Sequence, residues 1–134
     1  MRAGLKGSAR YLRGMGLTYV TTKLTPASAQ GGEFEAQFLV DTGATDSMVP
    51  GSELQRIGIA PVGNTAYEMA DGTLHRFNFG LARIEFMGEI TAGRVIFGPD
   101  TCEPILGATA LESVGILVDP ANKTLKRLPA IPMK

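Results

Sequence analysis

Short runs of apolar and β-branched residues recur along this chain, each broken by glycine, proline or a turn-forming pair. That rhythm predicts strands joined by tight turns. Residues 17–24 (LTYVTTKL) are rich in β-branched side chains, and residues 33–40 (EFEAQFLV) alternate before becoming continuously apolar. A short strand, SMV, follows a few residues later. SELQRIG then predicts one or two helical turns, with Ser52 as N-cap and Gly58 as the stop. Residues 65–70 and 73–79 flank Asp71-Gly72, the signal of a hairpin with a two-residue turn. A second strand pair, LARIEF and EITAGRVIF, flanks Met87-Gly88. EPILG leads into a short helix in ATALESVG that ends at Gly115, and PANK joins the last two strands, GILVD and TLKRL. Many short strands with one or two short helices predict an all-β fold, a small closed β-barrel.

The chain has 134 residues, which suits one domain. Residues 1–14 carry Arg2, Lys6, Arg10 and Arg13 without an acid, and the remainder is net acidic. Residues 1–16 therefore read as a basic leader without structure, 17–128 as the domain and 129–134 as a C-terminal tail. A net-acidic body carries no electrostatic footprint for nucleic acid. No apolar run is long enough to cross a membrane, and the basic N-terminus lacks the apolar core of a signal peptide. One cysteine excludes an internal disulfide framework. The expectation is a cytoplasmic protein.

The chemistry concentrates in FLVDTGATDSMVP, residues 38–50. A carboxylate at the end of an apolar strand is costly to bury unpaired, so Asp41 calls for a function. Gly43 removes a Cβ, letting backbone N–H groups approach that carboxylate, while the Thr42 hydroxyl can bond main-chain groups and Ala44 is small. The bland alternative is a turn closed by an Asx-type hydrogen bond. Other chemistries lack their patterns. His75 and Cys102 are too far apart in sequence to suggest a metal cluster, and neither a G-x-S-x-G elbow nor a phosphate-binding glycine loop is present. No metal or cofactor is expected. Asp46 and Ser47 either hydrogen-bond near the Asp41 carboxylate or start a strand, the second being favoured; Tyr67 and Met69 either line a binding subsite or, as favoured, fill the core; and Asp119 reads as a turn residue.

LVDTGATDSMVP resembles the active-site motif of aspartic proteases, apolar–apolar–Asp–Thr/Ser–Gly–Ala/Ser–Thr/Ser. PILGATALESVG, residues 104–115, is similar to the apolar–apolar–Gly segment and helix that pack behind the catalytic loop in that family. The Asp71-Gly72 hairpin stands between the two, where the family places its substrate-covering flap. The order of motifs spans residues 17–128 and is most similar to the single-domain retropepsin-like proteases of bacteria and archaea. The resemblance implies an acid-protease barrel acting as a homodimeric aspartic endopeptidase, because the mechanism needs two carboxylates and only Asp41 has the right setting. Asp41, Thr42 and Gly43 are then the catalytic positions, and Ala44, Asp71, Gly72 and Thr73 contact an extended peptide or protein substrate. Thr42 would bond across the twofold axis beneath the paired carboxylates.

Two departures from the viral members stand out. The hairpin tip is not glycine-rich, and Ala108-Thr109 replace the Arg-Asn/Asp that tie the viral dimer. The dimer contact would then come from elsewhere, such as strands around residues 17–24 and 123–131. The rival function is a non-catalytic module that binds peptide on the same fold.

Overall fold

The computed structural model describes the backbone of residues 9–12, and residues 17–119, 121, 122 and 124–133. The described chain is mostly β with two short helices. Its strands are β1 (Ala9–Leu12), β2 (Leu17–Pro26), β3 (Phe34–Val40), β4 (Ser47–Pro50), β5 (Gly63–Glu68), β6 (Leu74–Phe86), β7 (Glu89–Gly98), β8 (Ile105–Leu106), β9 (Ile116–Asp119) and β10 (Thr124–Arg127). Helices α1 (Gly51–Arg56) and α2 (Ala108–Ser113) interrupt them. Eight strands form one sheet in the order β1-β2-β3-β8-β4-β7-β6-β5, and β2 also pairs with β6. Strands β9 and β10 form a separate two-stranded sheet.

Alternation in β2 is the clearest case of sequence dictating packing. Thr18, Val20, Thr22 and Leu24 turn inward while Tyr19, Thr21 and Lys23 turn outward, as a period of two requires. On the inner side Val20, Leu24, Phe38, Val49, Ile84, Phe86, Val95 and Leu106 form one core. Leu54 from α1 and Leu111 from α2 complete it. Arg127 of β10 pairs with Glu89 at 2.5 Å and donates to the Met87 carbonyl, fastening the small sheet to the β6–β7 turn.

Several local expectations change in the structure. The hairpin around Asp71-Gly72 does not close on two residues: the last ladder pair is Glu68 with Leu74, leaving a five-residue connection. The Met87-Gly88 turn does close on two, with positive φ at both residues (53° and 75°), the geometry of a type I′ turn. Helix α1 begins at Gly51, with Pro50 in the cap position and no capping side chain, so Ser52 is inside the helix. A distant residue takes over the cap's task, since the Ser52 N–H donates to the Asp100 carboxylate at 3.3 Å. The two strands expected at 73–79 and 81–86 are one continuous strand, Leu74–Phe86, running through Gly80. Within the basic leader, Ala9–Leu12 pairs antiparallel with β2, while residues 1–8 and 13–16 lie outside the described residues. Strand β2 pairs with β3 along residues 19–24 on one side, and on the other with β1 along 17–20 and β6 along 22–26, which leaves little free ladder edge for a second chain.

Leu106 is wholly buried where β8 crosses beneath the Asp41 loop. Leu106→Ala is expected to cost about 2–5 kcal/mol in urea unfolding, because the surroundings cannot collapse onto the cavity.

Candidate active site

The Asp41 loop is shaped by a parallel strand that arrives from far along the chain. Leu39 and Val40 pair with Ile105 and Leu106. The Leu39 N–H donates to the Pro104 carbonyl at 2.9 Å and the Asp41 N–H to that of Leu106 at 3.0 Å. Past that point the chain turns on its own groups. The Gly43 N–H donates to Asp41 Oδ1 at 3.0 Å, and the Ala44 N–H to the Asp41 carbonyl at 3.1 Å. This is the Asx-type turn that the sequence offers as the bland alternative, and it also fixes where the carboxylate points. A Cβ at residue 43 would stand 3.2 Å from Asp41 Oδ1, so glycine leaves the carboxylate its space. Asp41 and Ala44 are half-buried, whereas Thr42 and Gly43 are exposed.

Behind the loop, the apolar–Gly segment and α2 supply the missing partners. The N–H groups of Ala108 and Thr109 donate to the carbonyls of Ala44 (2.8 Å) and Thr45 (3.1 Å). The Thr109 hydroxyl adds a bond to the same Thr45 carbonyl at 2.9 Å. Ser47, 1% exposed, accepts the Gly107 N–H on its hydroxyl at 3.0 Å. Gly107 is pressed so closely on the loop that a Cβ would lie 2.6 Å from the Asp46 carbonyl carbon. Ala108 and Thr109 thus brace the loop through their backbones, without a charged side chain.

The hairpin tip is tied to itself. Asp71 Oδ1 accepts from the Thr73 N–H (3.0 Å) and hydroxyl (2.6 Å). The Gly72 N–H donates to Met69 at 2.9 Å with φ of 86°, and the Met69 N–H to Thr73 at 2.8 Å. The Asp71 side chain competes with ladder pairing there, which lengthens the turn beyond two residues. The Thr73 hydroxyl, then its N–H, hold the Asp71 carboxyl below the usual aspartate value.

What joins hairpin to loop is a contact that sequence reading missed. Tyr67, on β5, donates its hydroxyl to Asp46 Oδ2 at 2.7 Å. Burial, followed by the hydrogen bond to Asp46, pushes the Tyr67 phenol up. Asp46 is therefore more than a strand start, and Tyr67 more than a core residue. Only their side-chain types hinted at this, since nothing in the local spacing relates residue 46 to residue 67. The structure brings Asp41, Thr42, Gly43 and Ala44 together in one loop, while Asp71, Gly72 and Thr73 sit apart at the tip. His75 is exposed and stacks on Phe77 at 6.3 Å, and Cys102 is half-buried, its thiol pushed up chiefly by burial. Among the described residues no three His, Cys, Asp or Glu side chains gather to hold a metal ion. No helix among them is long and apolar enough to cross a membrane.

Gly107→Ala is expected to lower stability by about 1–3 kcal/mol in chemical denaturation, since the new methyl meets backbone that cannot swing aside. At the tip, the stabilising Asp71–Thr73 contact is fully present above the unfolded aspartate value of about 3.9. It fades as pH falls through the lower folded value. An NMR titration of the Thr73 amide should give a midpoint below the ordinary one; a midpoint at or above it would refute the contact.

Comparison with known proteins places these features in a family. A solved structure described as a retropepsin-like aspartic protease from Rickettsia conorii is similar at 21% identity and a TM-score of 0.48, over 84% of this chain and 90% of that one. Among curated proteins, none matches this chain. Residues 25–110 match the family model described as aspartyl protease, a stretch that holds the Asp41 loop, the hairpin and the Gly107 brace. In agreement with the resemblance carried by DTGA and ILG, the chain belongs to the aspartyl protease family.

Proposed function

We propose that this chain is a retropepsin-like aspartic endopeptidase that works as a homodimer, with one Asp41 from each subunit. The observation that carries the reading is the Asp41 loop: a half-buried carboxylate at the end of a core strand, oriented by the Gly43 N–H and backed by Gly107 and α2. Each of the other aspartates accepts hydrogen bonds within this chain: Asp46 from Tyr67, Asp71 from Thr73, Asp100 from Ser52, and Asp119 from Ala121 and Asn122. That engagement favours a partner chain as the source of the second carboxylate. The pairing of β2 with both β3 and β6 supports a closed barrel. With β2 flanked on both sides, the β9–β10 sheet and the exposed Leu117, Ile131 and Met133 are the better candidates for the subunit contact.

The chemistry follows from two carboxylates that face each other and hold one proton between them. The ionised Asp41 takes a proton from water, and the oxygen attacks the scissile carbonyl carbon. The protonated Asp41 polarises the carbonyl oxygen. Collapse of the tetrahedral intermediate breaks the C–N bond, with a proton delivered to the leaving amine. Thr42 bonds across the twofold axis to fix the pair, and Gly43 lets the peptide backbone come close. Asp71, Gly72 and Thr73 close over an extended peptide that adds as a strand, with Ala44 lining its path.

Asp41→Asn tests the reading, because the amide oxygen can still accept the Gly43 N–H. Cleavage of a peptide library is expected to fall at least about a hundredfold, the scale of a lost general acid–base group. Peptide binding should persist. Sedimentation on the same samples should show activity rising only as dimer forms. Cleavage surviving in this variant would sink the proposal, and a wild-type dimer that binds peptide but cuts none would favour the binding module.

A further inference from the structure

The hairpin of β5 and the first part of β6 projects beyond the sheet. Residues 64–78 have ladder partners only in each other, since the β6–β7 pairing begins at Phe79 with Ile96. A two-stranded hairpin standing alone is marginally stable in water. On the face away from Tyr67, Ala66, Glu68, Leu74 and Arg76 are exposed, so burial contributes little there. Something else must hold it over the Asp41 loop.

Side chains from three elements meet along one face of it. Tyr67 of β5 donates to Asp46 Oδ2 at 2.7 Å, and Asp46 is bonded into the chain that runs from the Asp41 loop to β4. Arg94 of β7 lies 4.0 Å over the Phe79 ring, with Nη1 3.4 Å from the Thr65 hydroxyl. It also acts on the Tyr67 phenol, from the side opposite in charge to Asp46. The Tyr67 ring rests against Phe77 at 6.2 Å. The chain on either side of Asp46 is tied down, the Thr45 carbonyl by the Thr109 N–H and hydroxyl and the Ser47 hydroxyl by the Gly107 N–H.

We infer that the Tyr67–Asp46 hydrogen bond is a latch that pins the outer end of the hairpin ladder, one pair short of the turn, to the segment that follows the Asp41 loop, leaving the tip at 69–73 as the part that opens and closes. Tyr67 and Asp46 are positioning residues, and their effect on turnover rests on the endopeptidase reading. The latch itself does not. A hairpin pinned next to its turn presents the tip to substrate in one register, so the peptide does not have to order the strands on binding.

Tyr67→Phe removes the hydroxyl and keeps the ring on Phe77. Hydrogen exchange followed by mass spectrometry should show amides of residues 64–78 exchanging about tenfold faster, the scale of one hydrogen bond to a charged acceptor. Exchange in β2 and β3 should be unchanged. Asp46→Asn, which keeps an acceptor oxygen, should restore most of the protection that Asp46→Ala loses. The double variant Tyr67→Phe/Asp46→Ala should be no faster than either single change. In the active dimer KM should rise by a similar factor, with kcat within about twofold. Unchanged hairpin exchange in Tyr67→Phe would overturn the latch, as would equal acceleration through β2 and β3. Faster exchange with unaltered KM would overturn the positioning role. A wild-type chain that cleaves no peptide defeats the endopeptidase reading and leaves the exchange comparison to decide the latch.

Discussion

The crossing of residues 39–47 by residues 104–109 is the constraint on which the rest depends. A carboxylate displayed at the end of a core strand leaves the backbone around it without a ladder, and each buried amide must find a partner. The chain meets this with backbone and hydroxyl groups from a single distant segment, taken up at Leu39, Asp41, Ala44, Thr45 and Ser47. Because Ser47 is buried, its bond to Gly107 lies in a low-dielectric setting where it is strong if made and costly if lost.

Small residues follow from that crossing. Gly107 has to be glycine because two backbones touch there, and Gly43 has to be small because the Asp41 oxygen occupies the space. The helix behind is short, and its buried Ala110 and Leu111 join the core while its first residues brace the loop. Six residues thus link the packing of the interior to the direction of one carboxylate. The glycines and alanines of DTGA and ILGA are marks of close approach as much as of chemistry.

Much of this was legible in the chain. The strands other than β1 and β8 (β6 as two pieces), both helices, the Met87-Gly88 turn and the relation of Asp41 to the apolar–Gly segment could be read, because each rests on local periodicity, turn chemistry or an extended motif. What escaped depends on partners brought near only by folding. Ser52 looked like a cap because its type favours that position, but Asp100 captures its N–H from across the fold. Asp71-Gly72 looked like a two-residue turn, but the Asp71 carboxylate prefers the Thr73 groups to ladder pairing. The second neighbour of β2 and the Tyr67–Asp46 contact have no signature at all in spacing.

The distance along the chain between the two crossing segments has a consequence for biosynthesis. Strand β3 is complete by residue 40, yet its parallel neighbour does not exist until residue 106 has been made. Closing so long a loop is slow and unfavourable until the core contacts that reward it are present. On an emerging polypeptide the DTGA turn can form on its own groups, but it has no parallel neighbour or brace behind it while most of the chain is being synthesised. The brace behind the Asp41 loop is therefore complete only once residues 104–109 have been made, late in the chain.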